Sequence, residues 1–214
     1  MRRFPLEPSG LWREVRSARE GASAPALFFD RDGTLIELVH YLSRAAEVAP
    51  VSGAFESLAA ARRCGYRVVI VTNQSGIGRG RYGWDEFAEV QERVIGLAHA
   101  AGGRIDAVYA CPALPGSDDP CRKPGPGMLR AAAADLAIDL AASWIVGDAA
   151  TDLEAGRRAG LARGWLVPTG YGARDRGIAA GLAEAGFPVT IGRPIAALGA
   201  ALAASRTGAV QGTP

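Results

Sequence analysis

Four groups of polar residues that could carry chemistry each follow an apolar stretch of the sequence. In chain order they are Asp30 and Asp32; Thr72, Asn73, Gln74 and Ser75; Arg122 and Lys123; and Asp148 and Asp152. Paired carboxylates, a hydroxyl with amides, and an ammonium group together suit phosphoryl transfer, which depends on in-line positioning and neutralisation of charge. A hard cation such as Mg²⁺ would be held by the carboxylates.

The first acidic pair closes the buried run 26–29. Side chains at positions i and i+2 of a strand point to the same side, so Asp30 and Asp32 are expected to lie close together. Like charges at that distance raise one pKa, and a cation, a shared proton or both would relieve the repulsion. The alternatives are an ordinary turn with an aspartate N-cap and a calcium loop, whose further acidic ligands are missing here.

The other groups also have a chemical interpretation and a simpler alternative. Thr72 and the polar stretch 73–76 could form an anion cradle at the end of a strand, or only a polar turn. Lys123 lies in a loop bracketed by prolines that would restrict and aim it, or it is a solvated surface lysine. Asp148 could bind a cation or cap a helix.

The stretch 78–83 matches the pattern G-x-G-x-x-G. It does not open directly off a strand, and no acidic residue closes a second strand about 20 residues later. We interpret these glycines as loop flexibility and not as a dinucleotide site.

The elements that must position these groups alternate between apolar strands and amphipathic helices. We predict strands over 26–29, 67–71, 105–110, 144–146 and 165–167, and helices over 55–62, 87–97, 128–136, 152–159, 178–186 and 194–204. This alternation predicts an α/β fold with a mostly parallel sheet covered by helices on both faces. Ligands bind beyond the carboxyl ends of such strands, where the four polar groups lie.

Composition sets the class of protein. The chain has 214 residues, of which 49% are hydrophobic and 21% charged, with a formal net charge of +2. These values exclude a disordered or coiled-coil chain, and the weak basic excess disfavours a nucleic-acid binder. We expect an N-terminal arm over 1–24, one domain over 25–204 and a C-terminal tail over 205–214.

Location follows from what the sequence lacks. There is no apolar run of about 18 residues for a membrane span, and no apolar segment typical of a secretory signal. Three cysteines are too few for a disulfide framework, so reduced thiols are expected. We therefore expect a cytoplasmic protein.

Four motifs, FFDRDGT, VTNQSG, CRKPGPGM and IVGDAATD, occur in an order that resembles the haloacid dehalogenase superfamily of phosphatases. The longer strings DRDGT, TNQSGIGRG and RKPGPGML resemble its branch of D-glycero-D-manno-heptose 1,7-bisphosphate 7-phosphatases and histidinol-phosphate phosphatases. The resemblance spans residues 25 to about 167. It implies a Rossmann-like core without a large cap domain.

The resemblance implies a role for each matching residue. Asp30 would be the nucleophile that forms an aspartyl-phosphate, and Asp32 the general acid and base. Thr72 and Lys123 would hold the phosphoryl oxygens. Mg²⁺ would be bound by Asp30, the backbone carbonyl of Asp32 and Asp148, with Asp152 behind them. The implied substrate contacts are Arg31, His40, Tyr41, Asn73, Gln74, Ser75 and Arg122.

Two departures from the branch pattern bear on metal and substrate. Its zinc loop is matched only by Cys111 and Cys121, and the other two positions read Ala113 and Asp119. A tetrahedral zinc site normally needs four N or S ligands, so zinc is not expected. The lysine that often follows the metal-binding aspartate is Ala149 here, which removes a substrate contact.

We thus expect a Mg²⁺-dependent phosphomonoesterase acting on a small sugar phosphate, with the heptose bisphosphate first among substrates. The alternatives are a histidinol-phosphate or other metabolite phosphatase, a non-catalytic phosphometabolite-binding module, and phosphoryl transfer to another acceptor. The expected partner is a small phosphorylated metabolite. Nucleic acid and membrane are not expected as partners, and the chain is expected to be a monomer.

Overall fold

One seven-stranded sheet organises the part of the chain that the computed structural model describes, residues 4–17 and 22–210. Its strands are β1 (Trp12–Val15), β2 (Ala26–Phe29), β3 (Arg67–Asn73), β4 (Ala107–Cys111), β5 (Trp144–Gly147), β6 (Arg163–Leu166) and β7 (Val189–Ile191). Their order is β1-β4-β3-β2-β5-β6-β7. Strands β2 to β7 run parallel and β1 is antiparallel to β4, which confirms the predicted mostly parallel sheet.

Helices cover both faces of this sheet. In the described residues they are α1 (Ala54–Arg63), α2 (Ser75–Gly78), α3 (Trp84–Ala100), α4 (Gly127–Leu136), α5 (Ala150–Ala159), α6 (Gly172–Glu184) and α7 (Leu198–Val210). Successive residues of β2 alternate between two cores. Leu27 and Phe29 pack with residues of α1, α3 and α7, whereas Ala26 and Phe28 pack with residues of α4, α5 and α6. The predicted α/β sandwich without a large cap domain is confirmed.

The N-terminal residues join the sheet. Trp12 pairs with Ala110 at the edge of the sheet and packs against Trp84 and Phe87 on α3. Residues 12–15 of the expected arm are therefore an edge strand, which the sequence analysis did not predict. Residues 1–3 and 18–21 of the arm lie outside the described residues.

The C-terminal helix continues past the expected domain boundary. Helix α7 runs to Val210, six residues into the segment predicted as a tail, and residues 211–214 lie outside the described residues. None of the described helices combines the length and apolar character needed to cross a bilayer.

The strand order reverses at β2. Strand β3 lies on one side of β2 and β5 on the other. In open α/β sheets the crevice at the carboxyl ends of such strands is the usual ligand site. The polar groups that follow β2, β3, β4 and β5 therefore converge on one edge of the sheet.

Candidate active site

A tight turn places Asp30 directly after β2. The carbonyl of Arg31 accepts hydrogen bonds from the amides of Leu35 and Ile36 at 3.0 and 3.1 Å. Gly33 has a φ of +85°, and a Cβ there would lie 2.3 Å from Oδ2 of Asp148. Glycine satisfies both the positive φ and the close approach, so it lets the first and fourth polar groups meet.

Lys123 joins two of the acidic groups. Its Nζ lies 2.6 Å from Oδ1 of Asp30 and 2.6 Å from Oδ1 of Asp152, and it donates to the carbonyl of Val71 at 2.7 Å. Burial disfavours the charge on Lys123, but Asp152 and Asp30 outweigh it and raise the pKa of this ammonium above its ordinary value. The alternative of a solvated surface lysine is therefore wrong.

Asp30, Asp148 and Asp152 form a buried acidic floor. Each offers one carboxylate oxygen, and these oxygens all lie within 4.8 Å of one another. Burial and the neighbouring carboxylates raise the pKa of Asp30 and of Asp148, and Lys123 opposes this rise. Because one ammonium cannot balance three carboxylates, the floor favours a divalent cation or bound protons.

Backbone donors fix the two later aspartates. Oδ2 of Asp148 accepts the amide of Tyr171 at 2.8 Å, and Oδ2 of Asp152 accepts the amide of Ala149 at 3.0 Å. Asp152, and not Asp148, thus accepts from the N-terminal end of α5. The helix-capping alternative for Asp148 is wrong, and its carboxylate faces the other acidic groups.

Asp32 lies beside this floor in a network of donors. Its Oδ2 accepts from Nε of Arg31 at 3.1 Å and from Nε2 of Gln74 at 2.8 Å. Gln74 also donates to Oγ1 of Thr72 at 2.8 Å and accepts from the hydroxyl of Tyr82. Arg31 and Gln74, expected as substrate contacts, are buried side chains that orient Asp32 and Thr72.

Asn73 is hydrogen-bonded to the backbone of the loop that carries Lys123. Its Nδ2 donates to the carbonyl of Lys123 at 3.1 Å, and its Oδ1 accepts the amide of Lys123 at 3.0 Å. Both ends of the carboxamide are engaged by the loop backbone. Asn73 therefore ties the end of β3 to the loop that carries the lysine, and its place in the cavity lining leaves the predicted substrate contact untested.

A cavity of about 420 Å³ opens over the acidic floor. All seven residues predicted as substrate contacts line it: Arg31, His40, Tyr41, Asn73, Gln74, Ser75 and Arg122. Sequence analysis missed other lining residues: Arg79, Tyr82, Thr151, Tyr171 and Arg174. Arg79 and Tyr82 lie in the glycine-rich stretch that we assigned to loop flexibility. The basic residues of this stretch follow the predicted anion cradle in sequence, and that proximity could have indicated that they line the site.

Arg122 and Arg79 bring positive charge to one side of the cavity. Nη1 of Arg122 donates to the carbonyl of Ala113 at 2.6 Å. Burial lowers the pKa of Arg122, and the like charge of Arg79 lowers it further, against the opposing effect of Asp119. In the part of the chain that the structure describes, neither guanidinium forms an ion pair. Two such cations beside a cavity favour an anionic ligand.

Cys111 and Cys121 are both free thiols near Asp119. Burial raises the pKa of Cys111 to about 11, which disfavours the thiolate that binds zinc. Among the described residues, Asp30, Asp148 and Asp152 are the one group of three or more carboxylate, thiol or imidazole side chains that lie close enough together to hold a metal ion. The absence of zinc stays a prediction.

Gly170→Ala is expected to destabilise the protein by about 1–3 kcal/mol. Gly170 has a φ of +54°, and a Cβ there would lie 1.9 Å from Oδ2 of Asp148. The matched control is Gly177→Ala on α6, where a Cβ meets nothing within 4 Å, and we expect it to stabilise by about 0.5–1 kcal/mol. Urea unfolding of both variants checks this; equal changes would contradict the predicted overlap with Asp148.

Comparisons with known proteins agree with this geometry. A family model described as HAD-hydrolase-like matches residues 120–186. The chain is 46% identical over 173 residues to a D-glycero-beta-D-manno-heptose-1,7-bisphosphate 7-phosphatase from Mesorhizobium japonicum, covering 76% of this chain and 79% of that protein. The matching part therefore includes most of the relative.

Solved structures share the fold over most of the chain. A Mesorhizobium loti protein described as HAD-like has a TM-score of 0.80 and 40% identity, covering 96% of this chain and 97% of that one. D,D-heptose 1,7-bisphosphate phosphatase from B. bronchiseptica, solved with magnesium and phosphate, has a TM-score of 0.73 and 30% identity, covering 85% and 99%. The chain thus belongs to the haloacid dehalogenase superfamily, in the branch of phosphatases that includes these heptose bisphosphate enzymes.

Proposed function

We propose that this phosphatase removes the 7-phosphate of D-glycero-D-manno-heptose 1,7-bisphosphate with the help of Mg²⁺. The observation that carries the chemistry is the buried floor in which Lys123 joins Asp30 to Asp152 beside Asp148. The similarity to enzymes named for this substrate supports the choice of heptose. The arginines around the cavity suit a substrate with more than one phosphate.

The acidic floor fits Mg²⁺ on the chemistry of its donors. Mg²⁺ prefers hard oxygen ligands and is usually held by one or two carboxylates together with water and substrate phosphate. Asp30, Asp148 and the backbone carbonyl of Asp32 would hold the ion, and Asp152 would hold Lys123 behind it. When bound, the ion neutralises the carboxylates and the phosphoryl oxygens.

Asp30 performs the first displacement in this proposal. Lys123 holds Oδ1 of Asp30, which leaves Oδ2 to attack phosphorus. The Oδ2–P bond forms while the bond from phosphorus to the sugar oxygen breaks, and Asp32 gives a proton to the departing alkoxide. The products are a free sugar hydroxyl, a deprotonated Asp32 and an aspartyl-phosphate on Asp30.

Water resolves the intermediate. Asp32 takes a proton from a water molecule, whose oxygen attacks phosphorus while the bond to Asp30 breaks, so phosphate leaves and both aspartates return to their starting state. Arg31 and Gln74 keep the Asp32 carboxylate oriented through both steps. Thr72 donates a hydrogen bond to a phosphoryl oxygen, and Lys123 holds the phosphoryl oxygens through its positive charge. Ser75, His40, Tyr41 and Arg122 contact the sugar phosphate from the cavity wall.

The substrate assignment is tested by kcat/KM in the presence of Mg²⁺. Three compounds are compared: heptose 1,7-bisphosphate, histidinol phosphate and p-nitrophenyl phosphate. We expect kcat/KM for the heptose bisphosphate to be at least about 100-fold higher than for the other two compounds. Its hydroxyls and second phosphate can form polar contacts with the cavity that the other compounds cannot form. A preference for histidinol phosphate would replace the proposed substrate. No hydrolysis of any compound would favour the non-catalytic binding module, and a stable phosphorylated product would favour transfer to another acceptor.

Stabilisation by Mg²⁺ is expected to increase as the pH rises from about 6 to about 8. Asp30 and Asp148 have raised pKa values, so protons compete with the cation at the lower pH. In EDTA the folded protein binds more protons than the unfolded chain in this range, so its stability falls as the pH rises. Thermal unfolding in EDTA and in excess MgCl₂ measures both effects. A Mg²⁺-induced shift in Tm that is the same at both pH values would contradict the prediction.

We also propose that the protein is a cytoplasmic monomer that acts on a small metabolite and has no nucleic-acid or membrane partner. The low net charge of +2 supports the expectation that nucleic acid is not a partner. A sedimentation measurement of molecular mass tests the oligomeric state directly.

A further inference from the structure

Arg174 lies on the side of the cavity away from Arg79 and Arg122. It belongs to the first turn of α6, which follows β6, whereas Arg79 and Arg122 lie in segments that follow β3 and β4. Because β3 and β6 lie on opposite sides of β2 in the sheet, these cations flank the acidic floor. Among the described lining residues that follow β5 and β6, Arg174 is the one cation.

The guanidinium of Arg174 is held in place on one edge and one face. Its Nε donates to Oδ1 of Asp175 at 2.6 Å, and its centre lies 4.1 Å from the centroid of the Tyr171 ring. Asp175 is itself fixed, because its Oδ2 accepts the amide of Ala150 at 2.8 Å. In the described structure the two Nη groups of Arg174 have no hydrogen-bond partner. A guanidinium with a free, oriented pair of donors is suited to bidentate binding of a phosphate.

The ion pair with Asp175 does not by itself account for this arrangement. The Arg174 side chain is 64% exposed, and ion pairs at such positions contribute little to stability. Position 149, directly after Asp148, is alanine, so it supplies no charge to the side of the cavity formed by residues that follow β5 and β6. On this side of the cavity, Arg174 is therefore the residue whose charge can attract a phosphate.

We infer that Arg174 is a specificity-determining residue that binds the phosphate group of the substrate that is not hydrolysed. This inference rests on the proposed function, since it needs a substrate with two phosphates. The reacting phosphate occupies the floor at Asp30 and Lys123, and the second phosphate is bound at the free Nη edge of Arg174. Arg174 is not required for hydrolysis of a monophosphate.

The test compares Arg174→Gln with the wild-type enzyme on heptose 1,7-bisphosphate, heptose 7-phosphate and p-nitrophenyl phosphate. We expect kcat/KM for the bisphosphate to fall about 10- to 100-fold, chiefly through KM, because a charge-assisted hydrogen-bond pair is lost. The two monophosphates should change less than about threefold. Arg174→Lys keeps the charge without the paired donors and should give an intermediate loss. The matched control is Arg176→Gln, on the same helix and outside the cavity lining.

Other outcomes separate the inference from the proposed function. Equal losses on the bisphosphate and the monophosphates would mean that Arg174 acts through Asp175 or Asp148, and would overturn the inference. An unchanged kcat/KM on the bisphosphate would also overturn it while leaving the substrate assignment intact. A wild-type enzyme that hydrolyses p-nitrophenyl phosphate but not the heptose bisphosphate would instead reject the proposed function, and with it this role of Arg174.

Discussion

Asp30→Asn is expected to lower kcat by on the order of 10⁴-fold or more, because the amide oxygen is a far weaker nucleophile than the carboxylate. The fold should persist. The carbonyl oxygen of asparagine can still accept from Nζ of Lys123, which also keeps its ion pair with Asp152. The buried floor loses one of its three carboxylates, so the free energy of unfolding should stay the same or rise.

The measurement is the steady-state hydrolysis of p-nitrophenyl phosphate at saturating Mg²⁺, with mass spectrometry to exclude deamidation of the asparagine. Asp118→Asn, in the exposed loop before α4, is the matched control and should retain wild-type kcat. Acid quenching during turnover should trap a phosphorylated wild-type protein and leave the Asp30→Asn protein unlabelled. Turnover near the wild-type rate in the variant would reject the covalent mechanism.

Lys123→Met is expected to have the second large effect, on both stability and activity. The substitution removes the ammonium that Asp30 and Asp152 share and leaves buried carboxylates without a counter-charge. Breaking a buried ion pair in this way typically costs about 3–5 kcal/mol. Loss of the positive charge beside the phosphoryl oxygens should lower kcat by on the order of 10²- to 10³-fold.

The pH dependence identifies the cause of the Lys123→Met defect. Without the lysine the pKa values of Asp30 and Asp148, which burial already raises, rise further, so the folded variant binds more protons than its unfolded chain above about pH 4. Its stability should therefore fall more steeply than that of the wild type as the pH rises. Urea unfolding in EDTA at several pH values measures this slope. A uniform loss at all pH values would point to packing and contradict the electrostatic explanation.

Lys123→Arg is a useful comparison because Lys123 is the one lysine among the 24 basic residues of the chain. Three oxygen acceptors lie 2.6–2.7 Å from its Nζ. A compact ammonium fits this arrangement, whereas a planar guanidinium is larger and presents its donors in a fixed fork. The arginine variant should lose activity but keep the pH slope of the wild type, because the charge is retained.

The strands of the sheet interior could be predicted because their residues are apolar on both faces. Strand β3 is buried over six consecutive residues, and the run 68–71 is β-branched throughout. The same argument fails at the edges. Strand β1 reads WREV and strand β7 is a partly buried three-residue strand, so neither has a long apolar run. Pairing with a neighbouring strand, which sequence periodicity does not encode, produces both.

Within the candidate site, the residues that come together were predictable and the hydrogen-bond partners of several were not. Asp30, Asp32, Lys123 and Asp148 were found because polar residues after parallel strands meet at one edge. Arg31, Asn73 and Gln74 were also found, but their side chains turn out to hold Asp32, Thr72 and the loop of Lys123. Whether a polar side chain faces a ligand or another side chain depends on packing between distant segments.

The amino-acid sequence by itself determined the α/β class, the edge of the sheet where chemistry occurs and the reaction class. Those properties follow from local periodicity and from which residue types end each strand. Only the tertiary structure decided that Lys123 is shared by Asp30 and Asp152, that Asp152 accepts from the start of α5, and that Arg174 faces the cavity. Each of these depends on contacts between segments far apart in the chain, whose distances are set by how the helices pack on the sheet.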